Sequence, residues 1–354
     1  MSQVFRVLAV VAAVGIAFAV YVAVVLRPAA HPTPPPTGSP RPFSHVFVIV
    51  MENQSASTLL QNPRAGYIRM LARRYAYDSE YYGVTHPSLP NYVALISGRT
   101  FGSHSDSPAQ RFSGPTLAGE LDRAGISWQG VMQSLPYSGF AGAWSPGRSE
   151  AAPTLYAEKH DPFMLFPRLR AHDRQHVVPL SVLARELTSG AVPRFVFLTP
   201  NLCSDMHGQA GGPSPLCSGS QKGRLIQDGN NFLADWIPRI LHSPAWRGNA
   251  VVFVVWDEGG GAPTLLPRAL RAYMAPGPKA PPLLSILPVL GRLGGGNVPL
   301  IVIAREGPRH ERLRLWADHY SILKTIEASW RLPYLGHAGS PAVPLLTPLT
   351  QATH

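Results

Sequence analysis

Four short runs of aliphatic and aromatic residues limit how this chain of 354 residues can fold. They lie at 45–50 (HVFVIV), 195–198 (FVFL), 251–256 (VVFVVW) and 300–304 (LIVIA), and each is apolar throughout instead of alternating. Runs of this kind are typical of parallel strands that are covered on both faces. Helical patterns lie between them, at 66–74, 91–97, 116–124, 180–188, 229–241 and 319–330. The sequence therefore predicts an α/β domain with a mostly parallel central sheet and helices on both faces.

The composition excludes several classes of protein. With 45% hydrophobic and only 14% charged residues, the chain has ample material for a large core and is not generally disordered. The formal net charge of +11 favours anionic partners such as phosphates or lipid headgroups. No block of five basic residues is present, so we expect no nucleic-acid-binding tail. Two cysteines are too few for a disulfide-rich scaffold or a four-cysteine zinc site.

The N-terminal region contains a stretch without any charge, residues 7–26, between Arg6 and Arg27. At ~1.5 Å per residue this stretch matches a hydrocarbon core of roughly 30 Å. We expect a retained signal anchor with residues 1–6 in the cytoplasm. A cleaved signal peptide is the main alternative, because Ala29 and Ala30 would suit a cleavage site. A buried core helix is the third alternative.

A proline-rich segment follows, so residues 27–42 are predicted to be an extended linker. The catalytic or binding domain is expected to span 43–354. With a retained anchor, this domain is held at the cell membrane on the non-cytoplasmic side by a single span. With cleavage, it is secreted.

Polar side chains follow three of the apolar runs. In open α/β sheets, ligands bind at the carboxyl ends of the strands, which is where these side chains would lie. Taken singly, each could be a cap or a turn residue. Together they indicate a site for a divalent cation, because carboxylate and amide oxygens suit a hard metal and an imidazole would admit zinc. The residues are Glu52, Asn53, Asp205, His207, Asp257 and Glu258.

A second constellation is the segment 85–92 (THPSLPNY), which precedes an apolar helical pattern. Ser88 could be a simple N-cap, with Pro90 in the first turn. Alternatively, a hydroxyl at a helix N-terminus meets free N–H groups and would lie in a natural phosphate site. A metal beside Ser88 would make it a nucleophile, and Asn91 could then donate its amide to a phosphoryl oxygen.

These segments resemble the bacterial phosphoesterase family of acid phosphatases and phospholipases C, within the alkaline phosphatase superfamily. Six pieces match in the family's order and cover about the whole domain. They are 45–55 (HVFVIVMENQS), 85–98 (THPSLPNYVALISG), 159–163 (KHDPF), 199–208 (TPNLCSDMHG), 254–261 (VVWDEGGG) and 317–336 (ADHYSILKTIEASWRLPYLG). The resemblance implies an alkaline-phosphatase-like fold with one or two divalent metal ions, and zinc, calcium and magnesium all remain candidates.

The resemblance also implies roles for individual residues. Ser88 takes the nucleophile position and forms a phosphoserine, with Asn91 beside it. His160 and His207 are the candidates for protonating the leaving alkoxide or activating water. The implied metal ligands are Glu52, Asn53, Ser88, Asp257 and Glu258. Asp205, Asp318 and His319 form a possible further site, although Asp318 would also be a good helix cap.

Two features modify this picture. The segment after 254–261 lacks a further Asp-His-Val that many members have, which puts a second metal in doubt. Cys203 and Cys217 bracket a Gly/Pro-rich loop beside Asp205, and in an exported protein we expect a disulfide there. Free thiols or thiolate ligands are the alternatives.

The sequence thus predicts an extracytoplasmic, metal-dependent phosphoesterase that hydrolyses phosphate monoesters through a phosphoserine. A phospholipase C-type phosphodiesterase is the alternative, and a non-catalytic domain that binds phosphate or polyanions is a third hypothesis. The expected partners are a phosphorylated small molecule or a phospholipid headgroup, the membrane through the N-terminal segment, and no nucleic acid. Nothing in the sequence predicts the oligomeric state.

Overall fold

The computed structural model describes residues 40–209, 217–259 and 294–351. Its strands are β1 Val46–Met51, β2 Ala76–Asp78, β3 Tyr81–Tyr82, β4 Trp128–Met132, β5 Trp144–Pro146, β6 Thr154–Ala157, β7 Val177–Pro179, β8 Phe195–Thr199, β9 Val251–Trp256, β10 Leu300–Ala304, β11 Arg312–Leu313 and β12 Ala317–Asp318. Its α-helices are α1 Ala56–Gln61, α2 Gly66–Arg74, α3 Ser88–Ser97, α4 Leu117–Arg123, α5 Leu180–Ser189, α6 Lys222–Leu241, α7 His319–Trp330 and α8 Thr347–Thr350.

The main sheet has eight strands in the order β11-β2-β10-β9-β1-β8-β4-β7. β1 pairs in parallel with β8 and with β9, and all six of its residues are buried. The predicted mostly parallel sheet is confirmed. One of its strands was predicted wrongly, because β10 is antiparallel to both neighbours, β9 and β2. An apolar run reports that a strand is buried on both faces but not which way it runs.

Helices cover both faces of this sheet. On one face, Tyr92 of α3 packs against Phe197 of β8, and Trp330 of α7 packs edge-on against Phe195. Met51 of β1 points to the other face, where it meets α6. A Cβ added at Gly229 of α6 would lie 3.0 Å from a Met51 methyl and 2.4 Å from Met206, so only glycine lets α6 approach this closely. The predicted two-sided packing is confirmed.

The predicted helices all occur, with boundaries that differ by a few residues. The largest difference is α6, which begins at Lys222 instead of 229. The polar first turns of α6 carry no apolar stripe that would have identified them. Asn230 of α6 accepts hydrogen bonds from the Tyr67 and Ile68 N–H groups, so it caps the first turn of α2.

No helix within the three described ranges is both long and apolar enough to cross a membrane. The predicted span at 7–26 and most of the predicted linker lie outside those ranges. Phe43, where the sequence places the start of the domain, is fully buried, and its N–H donates to the Ser329 hydroxyl on α7.

Candidate active site

Four buried carboxylates lie at the carboxyl ends of the central strands. Glu52 follows β1 directly, Asp257 and Glu258 follow β9, and Asp205 lies in the loop after β8. The backbone joins these segments, because the Glu52 N–H donates to the Asp205 carbonyl at 2.8 Å and the Asp257 N–H to the Met51 carbonyl at 2.9 Å. The parallel register therefore brings together the acidic residues that the sequence placed at strand ends.

Asn53 links two of these acids. Its backbone N–H donates to Asp257 Oδ1 and its side-chain amide to Glu52 Oε2, both at 3.0 Å. The residue has φ of 53°, in the left-handed region that asparagine tolerates better than most residues. This turn leaves the amide oxygen of Asn53 as the atom that could serve a metal ion.

Ser88 lies at the start of α3, and its hydroxyl donates to Glu52 Oε2 at 3.0 Å. The interpretation of Ser88 as a simple N-cap is wrong, because Pro87 is the cap residue and Ser88 is already helical. The Leu89 N–H is instead satisfied by Asp106, whose Oδ1 accepts it at 2.9 Å. The Ser88 hydroxyl is therefore not used as a cap and points into the carboxylate cluster.

Asn91 does not fit the role of a phosphoryl donor in this structure. Its side-chain amide donates to the carbonyl oxygens of Thr85 and Pro87, and its Oδ1 accepts the N–H groups of Val84 and Thr85. All of these partners belong to the segment before α3. Asn91 thus fixes the loop that presents Ser88, and this correction follows from where its donors go.

His160 lies between two of the acids. Its Nε2 is 3.1 Å from Glu52 Oε1 and its Nδ1 is 3.3 Å from Asp205 Oδ2. The ring stacks on Tyr92 of α3, with centroids 5.0 Å apart and planes 11° from parallel. Burial, together with the nearby Lys159 ammonium, holds the pKa of His160 well below its usual value, so the imidazole is neutral.

His207 is held by a buried lysine. Lys159 is 2% exposed, and its Nζ lies 3.1 Å from His207 Nε2, while His207 Nδ1 is 2.6 Å from the Gly208 carbonyl. These partners assign the proton to Nδ1 and the lone pair to Nε2, where Lys159 donates. Burial is the main cause that lowers the pKa of His207 to about 4.

Lys159 is itself neutralised by two acids, Asp106 at 2.9 Å and Glu150 at 3.3 Å. Burial acts to lower the pKa of Lys159, but the Asp106, Glu52 and Glu150 carboxylates outweigh it and the pKa is raised. Asp106 thereby connects the first turn of α3 to Lys159 and, through Lys159, to His207. It is the residue that joins the serine segment to the imidazole segment.

Two further histidines contact the residues after β9. His86, just before Ser88, places Nδ1 2.6 Å from Glu258 Oε2, and this hydrogen bond raises the pKa of His86. His319 at the start of α7 lies between the Asp257 carbonyl, 2.6 Å from Nε2, and the Tyr81 hydroxyl, 3.0 Å from Nδ1. Both nitrogens of His319 are thus engaged, so it braces the backbone of Asp257.

Asp318 is the N-cap of α7, in a capping box with Ser321. The capping interpretation of Asp318 is therefore the one that matches the geometry. Asp205 accepts the His207 N–H through Oδ1 at 2.7 Å, which directs its other oxygen towards His160.

The carboxylate cluster has the donor chemistry that a hard divalent ion requires. Asp257 Oδ2 is buried without a hydrogen-bond donor, and the remaining contacts of Glu52 Oε1 and Glu258 Oε2 are to the imidazoles of His160 and His86. Burial and the neighbouring carboxylates raise the pKa of Glu52 well above its usual value, and burial followed by Glu258 does the same for Asp257. Several acids packed together repel one another, and a bound cation would relieve that repulsion.

A different triad, Glu52, His160 and His207, offers ligand atoms within 4.8 Å of one another. This set is less suitable, because both nitrogens of His207 already have partners and one partner is the Lys159 ammonium. A metal ion at His207 Nε2 would have to displace that positive charge. The set predicted from the sequence, Glu52, Asn53, Ser88, Asp257 and Glu258, offers oxygen donors only and is the second candidate for holding a metal ion.

A disulfide joins Cys203 to Cys217, with Cα atoms 5.4 Å apart. The predicted bridge is confirmed. It restrains the segment that carries Asp205 and His207, since Cys203 lies two residues before Asp205.

Sequence reasoning missed Asp106, Lys159 and His86 as site residues. Lys159 and His86 lie within the matching segments, next to residues that were identified, so their position was a usable signal. Asp106 lies in a polar loop at 103–111 with no periodic pattern, and only the folded structure brings it to α3.

Comparison with solved structures places the fold. A protein of the alkaline phosphatase superfamily from Vibrio parahaemolyticus superposes with a TM-score of 0.51 at 11% identity, over 88% of this chain and 73% of its own. At this identity the likeness concerns the fold alone. The expected alkaline-phosphatase-like fold is confirmed.

Relatives also match along most of the sequence. Phosphatidylinositol-3-phosphatase of Mycobacterium tuberculosis is 27% identical over 301 residues, which are 84% of this chain and 80% of the relative. An acid phosphatase of Aspergillus fumigatus is 25% identical over 297 residues, 83% of this chain but only 56% of the fungal protein. The chain thus spans little more than half the length of that fungal relative. The model of the Phosphoesterase family matches residues 56–333, so the chain belongs to this family of hydrolases of phosphoric esters.

Proposed function

We propose that the protein is a metal-dependent phosphomonoesterase that acts through a phosphoserine and works outside the cytoplasm. The observation that carries this proposal is the Ser88 hydroxyl, directed at Glu52 within a cluster of four buried carboxylates. The Ser88 hydroxyl is not used as a helix cap, because Pro87 is the cap residue, so helix capping does not explain its contact with Glu52. The phosphatases among the relatives support monoesters as substrates.

The residues that would hold the metal ion are Glu52, Asn53, Asp257 and Glu258, with Ser88 beside them. When bound, a divalent ion supplies positive charge that stabilises the ionised serine and the phosphoryl oxygens. The protein itself orients the ligands: Asn53 fixes Glu52 and Asp257, and His86 fixes Glu258.

In the first step, Ser88 Oγ bonds to phosphorus while the phosphorus–oxygen bond to the alcohol breaks. The serine proton has an acceptor in place, Glu52 Oε2 at 3.0 Å. The departing alkoxide takes up a proton from solvent or from a neighbouring acid. Burial lowers the pKa of His160 and of His207, so both imidazoles are neutral without substrate and neither is assigned as the acid for this step. Both nitrogens of His207 already have partners, so His160 is the one of the two that remains for proton transfer.

In the second step, water attacks the phosphoserine and releases phosphate and Ser88. We assign His160 as the acceptor of the proton of that water, because the carboxylates of Glu52 and Asp205 beside its two nitrogens would stabilise the imidazolium that forms.

The test is a panel of soluble esters with the purified full chain. We expect hydrolysis of an aryl phosphate monoester, loss of activity with EDTA, and recovery with one divalent metal. Faster release from phosphate diesters, with diacylglycerol from phospholipid vesicles, would replace this function by the phospholipase C alternative. Binding of phosphate without turnover under any metal would leave the non-catalytic alternative.

A further inference from the structure

We propose that an arginine-rich surface at the amino ends of the strands docks the domain on an anionic lipid bilayer, with the catalytic edge facing away from it. This surface, the arginine patch, consists of Arg73, Arg74, Arg305, Arg309 and Arg312. The inference rests on the proposed function and on the predicted span at 7–26. It narrows the substrate to soluble phosphate monoesters.

The arginine patch is held together by aromatic stacking. The guanidinium groups of Arg74 and Arg309 lie 5.6 and 5.0 Å from the centroid of the same ring, Tyr75. Arg312 lies 5.8 Å from the ring of Tyr77. Such contacts fix the planar groups, and all five arginines are exposed. The guanidinium of Arg309 also donates to backbone carbonyls of its own loop, which fixes it further without neutralising its charge.

Two backbone contacts join the segments that carry the patch. The His310 N–H donates to the Arg74 carbonyl at 3.1 Å, and His310 Nδ1 lies 2.9 Å from the Arg73 carbonyl. The loop between β10 and β11 is thereby fixed on the end of α2. The patch is therefore one continuous surface and not a set of separate side chains.

The patch carries an excess of positive charge. In the parts of the chain that the structure describes, none of its five arginines forms an ion pair with a carboxylate. The two acids in its loop are Glu306 and Glu311, and Glu306 is paired with Arg41 at 3.0 Å. Guanidinium groups bind phosphate oxygens in a bidentate manner, so lipid phosphates suit such a surface.

The start of the domain lies beside the same patch. Arg41 is paired with Glu306, and its carbonyl accepts the side-chain amide of Asn249 at 3.0 Å. Residues before position 40 continue into the proline-rich linker and the predicted span. A chain anchored through residues 7–26 would thus be held to the membrane at this surface, which favours a bilayer over a soluble polyanion as the partner.

The patch and the catalytic edge lie at opposite ends of the sheet. The Arg305 N–H donates to the Ala250 carbonyl, just before β9, whereas Asp257 follows the last residue of β9. A strand rises ~3.3 Å per residue, so these ends are about 20 Å apart. A bilayer against the patch would leave Ser88 on the far side of the domain. Phospholipids of that bilayer could not reach Ser88, whereas soluble monoesters could.

The experiment uses the full chain in lipid nanodiscs, with hydrogen–deuterium exchange read by mass spectrometry. One set of discs contains phosphatidylcholine alone and the other contains phosphatidylglycerol as well. We expect slower exchange at 69–77 and 305–313 only on the anionic discs, and no change at 52–62 or 88–97. Turnover of a soluble aryl phosphate should be equal on both sets.

The matched variants carry three changes each. Arg74→Gln, Arg309→Gln and Arg312→Gln together should abolish the lipid-dependent protection without changing turnover. Arg148→Gln, Arg185→Gln and Arg224→Gln remove the same charge from exposed arginines outside the patch and should keep the protection.

Three results would overturn the proposal. They are lipid-dependent protection at the catalytic edge, protection of the patch by soluble RNA but not by anionic discs, and failure of the chain to remain in neutral discs. If protection occurs but no ester is hydrolysed, docking stands and the proposed function fails, so the two failures are distinguishable.

Discussion

Buried carboxylates occur in this molecule in two settings. Three acids are buried outside the catalytic cluster: Asp78, Asp161 and Glu327. Four others lie together at the carboxyl ends of the strands: Glu52, Asp205, Asp257 and Glu258. Both groups contain an oxygen without a hydrogen-bond partner, so an unpartnered oxygen alone does not distinguish them.

The difference lies in what each acid contacts. Asp78 accepts two backbone N–H groups, Glu327 accepts one, and Asp161 accepts the Tyr156 hydroxyl. Burial raises the pKa of Asp78 to about 6 and that of Asp161 to about 7. A single buried acid can stay protonated and serve as a structural acceptor. In the cluster, neighbouring carboxylates add to the effect of burial, which is the arrangement that a cation stabilises.

The largest effect is expected from Ser88→Ala, because this change removes the proposed nucleophile from the cluster. We expect kcat for an aryl phosphate to fall by at least about 10³-fold, while bound metal and thermal stability are retained. Ser97→Ala is the matched control, since Ser97 is buried in the same helix and donates only to backbone. Full activity of Ser88→Ala would remove the covalent mechanism.

A comparison of Asp257→Asn with Glu327→Gln tests whether an acid in the cluster and an acid buried outside it differ in metal binding. Loss of the Asp257 charge should release the metal and lower kcat/KM by at least about 100-fold, whereas Glu327→Gln should leave the metal content unchanged. Metal content is measured by mass spectrometry after gel filtration, with circular dichroism to verify folding. Equal metal content in the two variants would contradict the distinction.

Asp106→Asn tests whether a residue outside the cluster positions it. Asparagine can still accept the Leu89 N–H but cannot neutralise Lys159, so we expect a loss of about 10–100-fold in kcat with little change in melting temperature. Glu150, the more exposed partner of Lys159, is the control, and Glu150→Gln should cost less than about fivefold. Equal losses would show that Lys159 needs only net charge nearby.

Asp78→Asn tests an acid buried outside the cluster through the pH dependence of the free energy of unfolding. The folded pKa of Asp78 is raised to about 6 from 3.8, so the folded state holds a proton that the unfolded chain releases. Stability is therefore lost as the pH rises from about 4 through 6, and asparagine avoids this loss. We expect the variant to be more stable by about 2–3 kcal/mol at pH 8 and nearly unchanged at pH 4, as measured by urea unfolding.

The fold and the cluster could be predicted largely from sequence, because burial on both faces and polar strand ends are local patterns. Glu52 and Asp257 follow such runs directly. The direction of β10 could not be predicted, since burial does not encode it. The hydrogen-bond partners of Asn91 could not be predicted either. The residue type shows that an amide donor is present, but the folded loop at 84–87 determines which carbonyls accept its hydrogen bonds.

Gly229 gives a reason why helix α6, which supplies none of the proposed catalytic residues, should still be sensitive to mutation. Met206 lies in the chain between Asp205 and His207, and Met51 directly precedes Glu52. Any side chain at position 229 would press on both methionines at once. A random mutagenesis screen for lost turnover should therefore find position 229 among its hits, although it lies in a helix interior with no chemistry of its own.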